Sequence, residues 1–179
     1  MDRNWRDVLW RQFGATIDML GNALEACPEG LWKAHMWSDP QMPVEFSDFW
    51  YVAYHTIFWL DLYLSGSVEG FMPPAPYTLD ELDSLGILPE RVYTRDELQS
   101  YLAHCRKKCH ETIVQLTDGQ AHRMCSFSWS MGGISFEELL LDNMRHVQEH
   151  GAQLNLFLGQ EIGSPTGWVA QTKSSHSSQ

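Results

Sequence analysis

The sequence predicts an all-α protein built as a four-helix bundle, and three observations carry that prediction. Four segments repeat apolar residues at three- and four-residue steps. Capping residues or helix-ending residues bound these segments, and Pro- and Gly-containing connectors separate them. Helices of roughly 17 to 24 residues would be about 25 to 35 Å long. A chain of 179 residues that is 44% apolar has enough material for one continuous core. Residues 1–160 therefore read as one domain. Residues 161–179, ending in the low-complexity TKSSHSSQ, read as a largely disordered tail.

The first helix is expected from Asn4 to Ala26, with Trp5, Leu9, Phe13, Ile17, Leu20 and Leu24 on its apolar stripe and Pro28 close behind. Pro40 and Pro43 argue against a long regular element in the next stretch. Ser47 is a suitable N-cap for a second helix from Asp48 to Leu64, which Gly66 is placed to end. Apolar residues surround nearly its whole circumference, so it should be central. The connector 66–93 contains a candidate short helix in TLDELDSLG and is long enough to recross the bundle, making the second and third helices parallel or diagonal. Thr94 and Glu97 form a capping box that opens the third helix, which runs to Leu116. Ser135 and Glu138 form another, opening a fourth helix that runs to Leu158.

Charge and motif content narrow the function. Twelve Lys and Arg against 23 Asp and Glu leave a net charge of −11, which repels phosphate backbones, so nucleic acid is not an expected partner. The most apolar window, 49–64, is shorter than the roughly 20 residues that span a bilayer and includes His55 and Asp61; no membrane association is expected. The first twenty residues scatter charge through their apolar positions, unlike a secretory signal, and a cytoplasmic location is expected. Cys27, Cys105, Cys109 and Cys125 then read as reduced thiols. Cys105 and Cys109 fall on the apolar stripe of the third helix, where small buried thiols pack well.

The stretch RHVQEHGAQLNLFLG is the strongest chemical signal. Phe136, Leu139, Leu140, Met144, Val147, Leu154 and Phe157 define an inward stripe, and His146 and His150 fall within or beside it. At four-residue spacing on a helix their Cβ atoms lie about 5 to 6 Å apart, close enough for two imidazoles to meet one cation. An isolated pair reads equally well as two hydrogen-bonded residues at the edge of the core. His55, in the middle of the most aromatic helix, shifts that balance, because three inward imidazoles among apolar neighbours all need partners. One divalent metal satisfies all three. Asp142, one turn before His146, is a candidate acceptor for a ligand histidine or a fourth ligand; Glu149 points away. His35, His104, His110, His122 and His176 lie in loops, on polar faces or in the tail. The chain has no Glu-x-x-His pair of the di-iron bundles, no HExxH and no GxSxG.

This arrangement resembles the DinB/YfiT-like family of metal-binding four-helix bundles, in which one histidine comes from the second helix and two from an HxxxH in the fourth. Here YVAYHTIFWLDLYL supplies His55, and HVQEHGAQL supplies His146, His150 and Gln153. Gly151 and Ala152 stand where that pattern commonly has Arg-Gly. The resemblance implies up-down-down-up topology and a divalent ion, zinc or nickel, on His55, His146 and His150 with coordination positions left open. It also implies a small-molecule substrate, since related proteins include transferases and isomerases that use bacillithiol, mycothiol or glutathione. The expected function is a metal-dependent enzyme, a low-molecular-weight-thiol S-transferase or a related hydrolase or isomerase, with no catalytic base identifiable. The alternative is a non-catalytic metal- or small-ligand-binding bundle with a stress-response or partner-binding role. Homodimers are common among such bundles, although no exposed apolar stripe is identifiable in the sequence.

Overall fold

Helices α1 (Arg3–Ala26), α2 (Phe49–Ser65), α3 (Arg95–Gln115), α4 (Asp118–Ala121) and α5 (Phe136–Ile162) make up most of the chain in a computed structural model that describes residues 3–84 and 86–172. A minimal hairpin of β1 (Met124–Cys125) and β2 (Ile134–Ser135) is the one pair of strands among the described residues. The class is all-α, as the periodicity predicts. No helix among the described residues is long and apolar enough to cross a membrane.

The apolar circumference of α2 finds neighbours on several sides. Fourteen of its 17 residues are buried, because α3 and α5 both pack on it while the connector 66–93 lays Tyr77 and Tyr93 against Tyr54. Contacts between α2 and α5 run in opposite senses: Phe49 meets Phe157, and Asn143 Nδ2 donates to the Leu60 carbonyl at 3.1 Å. Contacts between α2 and α3 run in the same sense, from Cys105 beneath the Ile57 carbonyl to Lys108 Nζ on Ser65 Oγ at 2.7 Å. Helix α1 packs on α3 in the opposite sense, with Arg6 Nη1 on the Val114 carbonyl and Arg106 Nε on Asp18, and it also packs on α5.

Several boundaries follow the sequence signals and others do not. Thr94 and Glu97 form the complete reciprocal box at the start of α3, and Gly66 ends α2 with φ of 72°, a left-handed conformation that costs glycine no Cβ clash. The second box is half made: Ser135 Oγ accepts from the Glu138 amide. Ser47 is not the cap of α2. It sits in a 3-10 turn, donating to the Val44 carbonyl, and Asp48 takes the N-cap position without a side-chain cap bond. The Asp48 carboxylate instead accepts from His35 on the preceding segment and from the Trp50 indole two residues on, partners that no capping pattern encodes. Trp5, assigned to the α1 stripe, is 45% exposed, because α3 ends nearby and Arg6 meets its last carbonyls. The fourth long helix continues to Ile162 before Gly163 ends it in a left-handed cap. Among the described residues of TLDELDSLG, the helical element is a 3-10 turn at Asp80–Leu82.

Residues 161–172, read from the sequence as the start of the tail, lie along the bundle. Beyond the end of α5, Thr166 bonds Asn155, Gln12 donates to the Ala170 carbonyl, and the Thr172 amide donates to the Arg11 carbonyl. Thr172 Oγ1 also donates to Asp18 at 2.5 Å and accepts from Arg106 at 2.7 Å, so the segment straps α1 to α3. Gly14 makes room for it: a Cβ there would lie 2.5 Å from Thr172 Cγ2. Residues 173–179, including His176 and most of TKSSHSSQ, lie outside the described residues.

The α3 cap supplies a pH-dependent contribution to stability. Arg91 beside Glu97, with the Thr94 amide and hydroxyl, holds its carboxyl down to about 2. A depressed folded-state pKa gives stability that is full above the unfolded value, about 4.3, and is lost as pH falls toward the folded value. Glu97→Gln should therefore lower Tm at pH 7, and the gap to wild type should close as pH falls from about 4.5 toward 2. Thr94→Ala should cost about 1 kcal/mol in urea unfolding at pH 7.

Candidate metal centre

One face of α2 presents Tyr51, His55, Trp59 and Tyr63 at four-residue steps, and α5 brings His146 and His150 against it, one turn apart. The ring centroids of His55 lie 5.4 Å from His146 and 5.2 Å from His150, and those of His146 and His150 are 4.6 Å apart. One nitrogen from each ring falls within 4.8 Å of the others. Among the described residues no other group of three or more His, Cys, Asp or Glu side chains converges in this way.

Hydrogen bonds fix which nitrogens face inward. His55 Nδ1 lies 2.7 Å from Glu81 Oε2, and His150 Nδ1 lies 2.7 Å from Gln153 Oε1. A carboxylate and an amide oxygen only accept, so both rings carry a proton on Nδ1, and in the neutral ring Nε2 is then the atom left for a metal. His146 Nε2 is 3.5 Å from His55 Nε2. Two nitrogens bound to one tetrahedral zinc at about 2.0 to 2.1 Å would be about 3.4 Å apart, so this pair already has nearly the required separation. His146 Nδ1 is buried without a partner. The donor set therefore fits a divalent transition metal.

The surroundings favour the neutral, metal-binding form of His146 and His150. Burial pushes His146 down to about 3, with His150 and His55 adding to the effect. Burial also lowers His150, against the opposing hydrogen bond that its Nδ1 donates to Gln153 Oε1. Burial works to raise the Glu81 carboxyl, but bonds and charge from His55, then bonds from Tyr51 and Trp59, leave it below the ordinary value. Aromatic rings flank the cluster. Trp59 packs on His55 and Tyr63, Tyr63 lies 6.3 Å from His146, and Phe127 and Trp129 stack on each other against Tyr63. Burial pushes the Tyr63 hydroxyl up to about 12, so it keeps its proton at neutral pH.

All three histidines singled out in the sequence meet here. Asp142 does not join them; it pairs with Arg145 at 3.5 Å, and Glu149 is exposed. Cys105 and Cys109 are buried free thiols raised by desolvation, and they lie in the core. His35 pairs with Asp48, His110 packs on Trp10, His104 lies 3.9 Å from Asp61, and His122 lies 3.7 Å from Glu137. The residue that sequence reasoning missed is Glu81. Asp80, Glu81 and Asp83 look alike in TLDELDSLG, and only the tertiary fold selects the middle one.

The unpartnered His146 Nδ1 makes this position costly in the metal-free protein. His146→Leu replaces the imidazole with an apolar side chain that needs no partner. After chelation of metal, urea unfolding should show the variant at least as stable as wild type. A clear loss of stability would mean that His146 already has a satisfied structural role.

A family model described as the DinB superfamily matches residues 12–154. No curated protein and no solved structure gave a match. The matched span runs from the first turns of α1 into α5 and includes His55, His146, His150 and Gln153. The chain belongs to the DinB superfamily.

Proposed function

We propose that this protein is a metal-dependent enzyme in which His55, His146 and His150 hold one zinc or nickel ion through their Nε2 atoms. The observation that carries the reading is the convergence of the three rings, one nitrogen from each within 4.8 Å of the others, while Glu81 and Gln153 hold Nδ1 of His55 and His150. The helix contacts support an up-down-down-up four-helix bundle: α2 with α3 in the same sense, and α1 with α3 and α2 with α5 in opposite senses. In that topology the crossover 66–93 returns along the bundle and delivers Glu81 to the site.

A divalent ion on three uncharged ligands would act as a Lewis acid, lowering the pKa of a thiol or water bound beside it. The chain's own residues supply orientation and shielding. Glu81 and Gln153 fix the ring planes of His55 and His150. Trp59, Tyr63, Phe127 and Trp129 give the site an apolar wall, where an electrophilic small molecule finds aromatic surface and water is thinned. With superfamily membership, these features favour transfer of a low-molecular-weight thiol to such an electrophile; hydrolysis or isomerisation uses the same centre.

Protein purified without a histidine tag should contain about one equivalent of zinc or nickel by elemental analysis, and His146→Ala should lose it. Metal-dependent conjugation in a panel of thiols and electrophiles would then identify the transferase, abolished by chelation and restored by metal. A metal-loaded protein silent across the panel supports instead a metal- or ligand-binding role in stress response or partner binding. Metal-free wild type with a chelator-insensitive Tm would sink the metal reading.

A further inference from the structure

We infer that Glu81 is a positioning residue through which metal occupancy and closure of the 66–93 connector reinforce each other. The inference rests on the proposed metal site. The Glu81 side chain is only 3% exposed, although it lies on a 3-10 turn within a connector that is otherwise without helix or strand among its described residues. Its carboxylate accepts three bonds, all from the single face of α2 that carries His55: Tyr51 OH at 2.6 Å, His55 Nδ1 at 2.7 Å and Trp59 Nε1 at 3.1 Å. These bonds fasten the turn over the histidine cluster.

None of the three donors is a Lys or Arg. Of the three donors only the imidazole can carry charge, so any counter-charge that offsets the desolvation of this buried carboxylate comes through His55. A cation on His55 Nε2 would polarise the ring and strengthen the Nδ1–H bond to Glu81. In return, the carboxylate holds His55 in the tautomer that frees Nε2 and raises its basicity. Because binding linkage is reciprocal, whatever tightens the Glu81 latch on metal loading must also tighten the metal when the latch is closed. The connector thereby senses occupancy of the site through a single hydrogen bond, and Asp80 is free to serve the local turn, accepting from Thr78.

The test uses the full chain and zinc alone. Zinc affinity is measured by competition with a chromophoric chelator, and amide hydrogen exchange over residues 77–84 is compared with and without zinc. Glu81→Gln should weaken zinc about 10- to 100-fold and abolish zinc-induced protection of the connector. Tyr51→Phe spares the His55 bond and should speed exchange over 77–84 while weakening zinc much less than Glu81→Gln does. Glu81→Asp, if it still reaches His55, should recover part of the affinity. Zinc binding by Glu81→Gln within roughly threefold of wild type overturns the assignment. So does wild-type exchange over 77–84 that zinc leaves unchanged, a readout that needs no variant to fold. Wild type that binds no zinc fails the metal reading itself, whereas tight binding indifferent to Glu81 fails only this inference.

Discussion

Placing two ionisable side chains on the most buried helix of the chain obliges the rest of the protein to supply their partners. On α2 these are His55 and Asp61, and each one joins the helix to a different neighbour. Asp61, 1% exposed, accepts from Tyr101 OH at 2.9 Å and from Lys108 Nζ at 2.6 Å, and so fixes the register of α2 against α3. His55 faces the other way, toward α5 and the connector, where His146, His150 and Glu81 meet it. Apolar packing alone would let such helices slide by a turn at modest cost. A slide that breaks a buried polar pair leaves a desolvated charge behind, so these pairs penalise wrong registers far more than they stabilise the right one.

The two networks are finished to different degrees. Around Asp61, both carboxylate oxygens have donors, and Lys108 also reaches Ser65 and a backbone carbonyl. Around the histidines, Glu81 and Gln153 hold His55 and His150, yet His146 Nδ1 has no partner and the three rings converge on one another. A purely structural cluster would gain by replacing His146 with leucine. An unfinished network beside a finished one in the same helix is the pattern expected where local stability has been given up for ligand binding.

What could be read from the sequence was what the chain encodes locally. Helical period placed the long helices, a four-residue spacing put His146 and His150 on one face, and the Thr94–Glu97 box marked the start of α3 to the residue. The failures share a physical cause, since each depends on side-chain partners that no helical period or capping pattern specifies. Ser47 looked like a cap until His35 and Trp50 claimed Asp48 and reset the helix entry. The 163–172 strap has no period to detect, being held by Thr172 between Asp18 and Arg106 and by the bare face of Gly14. Glu81 lay in a connector among equivalent acids, and α2 alone distinguishes it.

The charge balance of the whole chain bears on the proposed chemistry. A net charge of −11 attracts cations and repels anions over long range, so an anionic thiol approaching this protein gains nothing from the general field. Its capture has to be local, where screening and distance matter less. Carboxylate ligands would cancel much of a divalent ion's charge at the point where the proposed thiolate would bind; three imidazoles would leave that charge intact. Glu81, one hydrogen bond behind His55, offsets part of it from the far side of the ring without blocking the open face. In the proposed site, imidazole ligands inside an acidic chain would reconcile strong attraction for the cation with a residual positive charge for a nucleophile, which a carboxylate-rich site in the same field would not retain.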